Sequence, residues 1–473
     1  MQKNPSRPDN DEMRELLRQF DNLKNGRSHS FIEEESFEKL INYFDEKEDM
    51  TSALQASELG IEIYPYSSLL LIKKADLLLA TRQYKAALNI LEKAELLDSL
   101  DINLFILKTD AYLALDQQEK AIQLLEDALE LFSGDERIEL LFELADVYDD
   151  YEEFDKVFEC LKLVLEQEPM NEEALYKICF WTDFTGRNEE SIKLHQNIIN
   201  EYPYSELAWF NLGAAYQGLK LYEKSIDAYM YCIAIDEKFD YAYRNMGDAY
   251  IRMRKYKEAV EMLEKVLELS RPEEVIHEAI GYCFDRMGQY AQARFHYRKA
   301  SHLTTEDSRF QYKIACTYIN EGQFETGIKH LQNALKANRL NPEYNLTMGV
   351  ALTELKQYAQ AIEYFANVIK ARPKSPKGWT SMLDCMLQAD LLDTADEYAL
   401  AAYDATGGKP IFIFYRAAIC FATGKTKQGI THLELAMSKA PKLIKNLIQL
   451  MPKILQNPQV VDIIARYKKS KSI

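Results

Sequence analysis

Apolar residues follow a helical period through residues 209–235, WFNLGAAYQGLKLYEKSIDAYMYCIAI. One stripe, at i, i+3, i+4 and i+7, consists of Trp209, Leu212, Gly213 and Tyr216. After a break at Gly218, a second stripe consists of Ser225, Tyr229 and Cys232. The pattern therefore predicts two short amphipathic helices, and neither could bury its apolar face alone.

The same pattern recurs every 34 residues. Ala208, Tyr216 and Tyr222 are followed one period later by Ala242, Tyr250 and Tyr256. With a two-residue insertion near Ser133–Gly134, repeats are predicted to begin at residues 34, 68, 102, 138, 172, 206, 240, 274, 308, 342, 376 and 410. The chain is thus expected to consist of about twelve helical repeats.

One place in each repeat is almost always small, as the crossing point of two closely packed helices requires. The residues there are Ala53, Ala87, Ala121, Val157, Ser191, Ser225, Ala259, Ala293, Gly327, Ala361, Ala395 and Gly429. Only Val157 is larger. Prolines that stop the second helix follow in five repeats, at Pro65, Pro169, Pro203, Pro373 and Pro441.

These residues resemble the tetratricopeptide repeat (TPR) family, whose pattern is W-x2-L-G-x2-Y, later A-x3-F and later P. The repeat at 206 carries the first four of these residues, whereas the repeats at 34, 68 and 102 lack the Trp and Gly. In the repeat at 172, Cys179 and Thr182 stand where Gly and Tyr are expected. The resemblance implies an all-α solenoid, a right-handed superhelix of helix-turn-helix repeats, over residues 34–443.

The two ends lack the period. Residues 1–33 are predicted to be a mobile segment, MQKNPSRPDNDEM, followed by a capping helix with a stripe from Met13 to Leu23. The alternative is a detachable segment that docks on a partner or in the groove of the chain itself. Residues 444–473 are predicted to form C-terminal capping helices and a basic tail.

Charge is distributed unevenly in this acidic protein. The formal net charge of −18 divides into −23 over residues 1–200 and +5 over residues 201–473. The acidic part should repel nucleic acid and attract a basic partner, so no nucleic acid is expected. The N-terminus has no apolar signal segment and no stretch approaches about 18 consecutive apolar residues, so a cytoplasmic location without a membrane span is expected.

No motif for catalysis or cofactor binding is present. The sequence contains no G-x-S-x-G, no G-x-x-x-x-G-K-[ST] and no H-E-x-x-H, and the Gly-Gly-Lys at 407–409 is typical of a linker turn. Six of the seven cysteines, all but Cys160, fall near packing places, which favours free thiols over disulfides. His296 and His330 occupy equivalent places and could be neighbours, yet further ligands for a metal are lacking. We expect neither enzyme activity, a cofactor nor a metal.

The resemblance implies that the first helices line a concave groove, with the second, fifth, ninth, twelfth and thirteenth places of each repeat facing it. The candidate partner-binding residues are Tyr176, Phe180, Phe184, Phe210, Asn211, Tyr241, Arg244, Asn245, Asp248, Arg252, Tyr282, Arg286, Arg309 and Tyr312. Tyrosine and arginine suit recognition surfaces because they combine large contact area with fixed hydrogen-bond geometry. The carboxylate clamp of chaperone-binding members is not matched, since Phe210 and Ala214 occupy its places.

The sequence therefore predicts a non-catalytic scaffold or adaptor that binds an extended peptide or helix in the concave groove. Its partner is expected to be a protein or peptide, basic toward the N-terminal half and acidic toward the central groove. Two alternatives remain open, a regulatory or substrate-recruiting subunit of an enzyme complex and a self-assembling structural protein.

Overall fold

A computed structural model describes residues 10–25, 31–304 and 307–469. The described residues contain helices and no strand. The helices are α1 (Asn10–Lys24), α2 (Glu34–Asp45), α3 (Met50–Ile63), α4 (Ser68–Ala80), α5 (Tyr84–Glu95), α6 (Ile102–Ala114), α7 (Gln118–Ala128), α8 (Asp135–Asp150), α9 (Phe154–Gln167), α10 (Glu172–Thr185), α11 (Asn188–Glu201), α12 (Glu206–Gly218), α13 (Tyr222–Ile235), α14 (Asp240–Arg252), α15 (Tyr256–Leu269), α16 (Glu274–Arg286), α17 (Tyr290–Leu303), α18 (Ser308–Asn320), α19 (Phe324–Ala337), α20 (Pro342–Glu354), α21 (Tyr358–Ala371), α22 (Pro376–Gln388), α23 (Leu392–Ala405), α24 (Ile411–Ala422), α25 (Thr426–Lys439), α26 (Ile444–Leu450) and α27 (Pro458–Lys469). The segment predicted to be mobile, as far as residue 9, and the last four residues of the basic tail lie outside the described residues.

The helices pair in chain order. Even-numbered helices from α2 to α24 are the first helices of the repeats, and odd-numbered helices from α3 to α25 are the second helices. Every first helix begins within three residues of the repeat start expected from the sequence. The predicted all-α solenoid of helix-turn-helix repeats is therefore confirmed.

Contacts divide the chain into two bodies. The N-terminal body is Met1–Glu237 and the C-terminal body is Lys238–Ile473. Helices α1 to α13 belong to the first and α14 to α27 to the second. Each body is held by its own apolar layers between paired helices.

The small residue at each helix crossing is buried in all twelve repeats, Val157 included. Glycines on the first helices bring the paired backbones close in the same way. A Cβ atom at Gly213 would lie 2.5 Å from the ring of Tyr229, and one at Gly349 would lie 2.5 Å from the ring of Phe365. The small side chains thus let large aromatic rings from the partner helix fill the space.

A left-handed residue joins the two helices of every repeat. Twelve of the positive φ angles fall at the fifteenth places of the twelve repeats, on Glu48, Arg82, Asp116, Glu152, Gly186, Lys220, Arg254, Gly288, Gly322, Lys356, Asp390 and Gly424. Only four of these twelve residues are glycine, the residue that adopts this conformation without strain. The repeat geometry therefore imposes the turn even where the sequence opposes it.

Side-chain caps begin several first helices. Ser67, Asp101, Asn171, Ser205, Asp307 and Asn341 each accept a hydrogen bond from a backbone N–H in the first turn of the following helix. Such a cap contributes about 1 kcal/mol to helix stability. Because the caps recur at the last place of a repeat, they fix where the next first helix starts.

Further helices flank the repeats. Helix α1 packs Met13, Leu16 and Phe20 into one cluster with Phe37 and Leu40 of the first repeat. At the other end, α26 and α27 contribute a second cluster that packs on the last repeat, with Leu447, Val460 and Ile463 buried against Ile413 and Phe414.

Candidate functional site: the first-helix face

Three aromatic side chains stand exposed on α10. Tyr176, Phe180 and Phe184 are 62%, 60% and 57% exposed. They are four residues apart, so they share one side of the helix, while Leu175 and Ile178 on the other side are buried. We call these three residues the aromatic row.

The aromatic row is held in place by neighbouring rings. Phe184 stacks on Phe180 at 5.9 Å between ring centroids and meets the ring of Phe154 edge-on at 4.8 Å. Phe154 in turn stacks on Trp181 at 5.3 Å. Aromatic pairs in these geometries contribute about 0.5–1.5 kcal/mol each beyond burial. Phe180 and Phe184 are therefore positioned before any partner arrives.

Carboxylates line the same face on the preceding first helices. The ninth places of successive repeats hold Asp76 on α4, Asp110 on α6 and Asp146 on α8, which we call the acidic stripe. Partial burial, with the charge of Asp45, raises the pKa of Asp76, and partial burial, with the charge of Asp76, raises the pKa of Asp110. The stripe is thus a line of like charges close enough to repel one another.

Burial and like charges act together at Glu143 of α8. Partial burial, together with the charges of Asp110, Asp146 and Glu139, raises the pKa of Glu143 to about 7. A carboxyl group with this pKa is only part-ionised at neutral pH. A cation placed beside it would stabilise its charged form.

Lys177 lies between the acidic stripe and the aromatic row. Its ammonium group is 2.8 Å from Glu173 and 3.6 Å from Asp146, and it lies 5.1 Å from the ring centroid of Phe142. Burial alone would lower the pKa of Lys177, but the two carboxylates outweigh burial and raise it. This face therefore already holds one ammonium group between carboxylates and an aromatic ring.

Two candidate partner-binding residues on α12, Phe210 and Asn211, differ in their exposure to solvent. Phe210 is half-buried, with its ring 5.6 Å from that of Tyr229. Asn211 is only 2% exposed. Its side-chain amide donates to the carbonyl of Leu175 at 2.7 Å and to Nε2 of His195 at 3.2 Å.

His195 accepts that hydrogen bond as a neutral imidazole. Full burial lowers the pKa of His195 to about 4, and its Nδ1 lies 2.8 Å from the carbonyl oxygen of Ser191. Asn211 therefore joins α10, α11 and α12 inside the body. It is buried there, although the sequence placed it among the candidate partner-binding residues.

In the C-terminal body, three of the four predicted arginines already have acidic partners. Arg244 lies 2.9 Å from Glu273, and Arg252 lies 3.4 Å from Asp248. Arg309 lies 3.2 Å from Glu278 and 3.1 Å from Asp307. These internal carboxylates would compete with an acidic ligand.

Other predicted residues of this body lie near those arginines. Tyr241 is exposed beneath the guanidinium of Arg244, 5.8 Å from ring to charge, and Asn245 is half-buried. A hydrogen bond to Tyr256 raises the pKa of Arg286, and the ring of Tyr282 meets that of Tyr256 at 6.2 Å. Tyr312 stacks on Tyr344 at 4.7 Å and its hydroxyl lies 3.3 Å from that of Thr347. These side chains form a continuous but internally paired surface.

The two histidines that could be neighbours, His296 and His330, have different partners. Nδ1 of His296 lies 3.2 Å from Nδ1 of His277, whereas His330 pairs with Gln311 at 2.9 Å and stacks on Tyr318. Among the described residues, no group of three or more His, Cys, Asp or Glu side chains could hold a metal ion. The cysteines are free thiols, and Cys160, expected to lie outside the packing places, is buried.

The sequence did not single out Asp76, Asp110, Glu143 or Lys177. The ninth place of each repeat was expected to face the groove, so the 34-residue spacing of Asp76 and Asp110 was the available signal. No helix in the described part of the chain is long and apolar enough to cross a membrane.

Two family models match the chain. Residues 212–346 match the C-terminal ARM domain of tetratricopeptide repeat protein 21, and residues 345–375 match the tetratricopeptide repeat. No curated protein matches the chain.

Several solved structures are similar. The Cut9–Hcn1 hetero-tetramer of APC/C is 12% identical with a TM-score of 0.36, covering 82% of this chain and 96% of that one. The C-terminal part of a TPR protein from Cytophaga hutchinsonii is 18% identical with a TM-score of 0.44, and the match covers 54% of this chain and 99% of that one. YrrB, described as a TPR protein with an unusual peptide-binding site, is 18% identical with a TM-score of 0.35, and the match covers 40% of this chain and 96% of that one. At these scores the matches carry no information about partners.

TPR-type repeats are generally non-catalytic and indicate a scaffold for protein–protein interaction. Proteins built from them bind proteins or peptides. The paired helices and their 34-residue period identify this chain as a helical repeat solenoid, in which residues 212–346 and 345–375 match models built on tetratricopeptide repeat proteins.

Proposed function

We propose that the chain is a non-catalytic scaffold or adaptor that holds a segment of a partner protein on the first-helix face of its N-terminal body. The exposed aromatic row is the observation that carries this proposal. Soluble domains rarely leave a contiguous aromatic surface uncovered unless it serves binding. The preorganised rings fit that role because a partner would not have to order them.

The size of the aromatic row suits a reversible interaction. Each ring leaves about 100 Å² uncovered, so burying all three removes about 300 Å² from water and contributes about 7 kcal/mol. Association costs a comparable amount in lost freedom. The charged residues beside the row must therefore supply much of the net affinity and the choice of partner.

The charge around the row favours a basic partner. The acidic stripe and Glu143 lie on the helices before α10, in the part of the chain whose net charge is −23. Phosphate groups would be repelled there, so nucleic acid is a poor ligand. A protein segment with lysines or arginines would relieve the repulsion between these carboxylates.

An acidic partner for the C-terminal body is a second part of the proposal, resting on Arg244, Arg252, Arg286 and Arg309. Since Arg244, Arg252 and Arg309 already pair with carboxylates, an acidic segment would exchange one set of ion pairs for another. We therefore assign the primary contact to the aromatic row. The segment bound there is an extended peptide or a helix.

Two other roles use the same face. A regulatory or substrate-recruiting subunit would bind an enzyme there, and a self-assembling structural protein would bind another copy of the chain. The identity of the captured protein distinguishes them. The cytoplasmic location stays a prediction from the sequence.

The test compares baits in native lysate, read by quantitative mass spectrometry. One bait carries Tyr176→Ala, Phe180→Ala and Phe184→Ala. A second carries Arg244→Glu, Arg252→Glu and Arg286→Glu, and wild type is the reference. Because the aromatic side chains are more than half exposed, the first variant should keep its helical circular-dichroism spectrum, and its melting temperature should fall only by what the lost ring pairs contribute.

We expect a protein enriched on wild type to be lost from the aromatic variant and retained on the arginine variant. Loss from the arginine variant alone would transfer the contact to the C-terminal body. Equal recovery on all three baits would contradict a partner site on either face. Recovery of the chain itself, lost from the aromatic variant, would identify self-assembly.

A further inference from the structure

Two parallel stripes cross the first helices of the N-terminal body. The acidic stripe occupies the ninth places, and an apolar stripe occupies the fifth places with Ile106, Phe142 and Tyr176, whereas Ile72 at the fifth place of α4 is buried. On each helix the two places are four residues apart, so the stripes run about 6 Å from each other. A segment lying across the helices would have one edge on carboxylates and the other on apolar side chains.

The spacing along the stripes selects a backbone conformation. Packed helices are about 8–10 Å apart, which sets the distance from one carboxylate to the next. An extended or polyproline-type segment advances about 9–10 Å in three residues, whereas a helix needs about seven residues. A polyproline-type segment has three residues per turn, so every third side chain points the same way and meets a carboxylate, while side chains between can reach the apolar stripe. A β-extended segment would alternate its side chains and could not do this.

The carboxylates of the acidic stripe are largely without ion pairs inside the described part of the chain. Within the described residues, neither Asp76 nor Asp110 forms a salt bridge, and Asp146 pairs only with Lys177. Lys177 shows how an ammonium group is received at the end of the stripe, between two carboxylates and the ring of Phe142. It occupies the place that a lysine of a partner would take.

We propose that the N-terminal body binds an extended, polyproline-type segment with a Lys or Arg at every third residue and apolar residues between, and that Lys177 limits its affinity. The inference rests on the proposed function and adds the chemistry and conformation of the bound segment. Three gaps of about 10 Å separate α4 from α10, so a segment of about ten residues spans the stripes.

The probe is a fluorescein-labelled 15-residue peptide, (Lys-Ser-Leu)5, titrated with the full chain by fluorescence anisotropy. A peptide of the same composition with irregular lysine spacing is the reference. The regular peptide should bind about tenfold more tightly, because only its lysines can meet all three carboxylates. Equal binding of the two peptides, or no binding of either, overturns the proposal.

Variants assign the contacts. Asp76→Asn, Asp110→Asn and Asp146→Asn together should weaken binding of the regular peptide about tenfold, since each exposed ion pair is worth about two- to fivefold. The matched control changes three exposed carboxylates on second helices, Glu92→Gln, Glu119→Gln and Glu223→Gln, and should leave the affinity near wild type. An equal loss in both variants would show general charge attraction and overturn the proposal.

Lys177→Ala gives a readout that structural damage would not produce. Removing the internal ammonium group should tighten binding about two- to fivefold, and weaker binding would contradict its role as a competitor. If the peptides fail while the lysate partner is still lost from the aromatic variant, the proposed function stands and this inference falls. If the regular peptide binds more tightly but no lysate protein depends on the aromatic row, the inference about the segment stands and the proposed function falls.

Discussion

Substitutions at the left-handed residue between the two helices of a repeat should change the free energy of unfolding. Replacing a glycine there should lower it, and introducing a glycine at the same place of the next repeat should raise it. Gly186 and Lys220 occupy the same place, with φ angles of 73° and 61°. No atom lies within 4 Å of a Cβ built at Gly186, so Gly186→Ala adds backbone strain without a clash. Lys220→Gly removes the strain, and the Lys220 side chain is exposed.

The magnitude follows from two opposing effects. The left-handed conformation costs a residue with a Cβ atom about 1–2 kcal/mol. Glycine avoids this cost, but it also gives the unfolded chain more conformational freedom, which offsets about 0.4–1 kcal/mol of the gain. Gly186→Ala should therefore lower, and Lys220→Gly should raise, the free energy of unfolding by about 1 kcal/mol each.

Urea unfolding followed by circular dichroism measures the change for the whole chain. Because repeat proteins can unfold in segments, hydrogen exchange read by mass spectrometry over α10 to α13 locates it. Lys220→Ala is the control, since it removes the side chain and keeps the strain. A shift of both variants in one direction, or stabilisation by Lys220→Ala equal to that by Lys220→Gly, would refute the reasoning.

Three further changes test packing and ionisation. Gly349→Ala should cost about 1–3 kcal/mol in urea unfolding, because its Cβ would lie 2.5 Å from the ring of Phe365, and Phe365→Leu should recover part of the loss. Folding lowers the pKa of His195 to about 4, so the unfolded state takes up the proton first as the pH falls. The free energy of unfolding should therefore decrease from about pH 6.5 to about pH 4. A His195→Gln variant should show a smaller decrease, measured as the shift of the urea midpoint. Because the pKa of Glu143 is about 7, affinity for (Lys-Ser-Leu)5 should weaken from pH 8 to 6, and a Glu143→Gln variant with an unchanged pH profile would contradict this role.

The regular part of the fold could be predicted because every repeat solves the same packing problem. A small residue at each crossing, from Ala53 to Gly429, and an apolar stripe on each helix fix the pairing of the helices. The left-handed turns could not be predicted from residue type. At eight of twelve places the residue is not glycine, so the geometry comes from the paired helices and not from the preference of the turn residue.

The candidate site could be predicted only in part, because ion pairs and burial join different repeats. Tyr176, Phe180 and Phe184 are exposed on one side of α10, as the spacing of four residues implies. Asn211 occupies a sixth place whose orientation depends on the buried His195 of the previous repeat. Likewise, Glu273 neutralises Arg244 from 29 residues away, a pairing that no local pattern indicates.

The most direct test of the partner site is photo-crosslinking in cells. A benzophenone amino acid replaces Tyr176 on the first-helix face or, as a control, Tyr231 on α13, which is also more than half exposed. Our account predicts that the probe at 176 crosslinks to a defined segment of another protein, rich in regularly spaced lysine or arginine, and that the probe at 231 does not. A crosslink from 231 and none from 176 would contradict it.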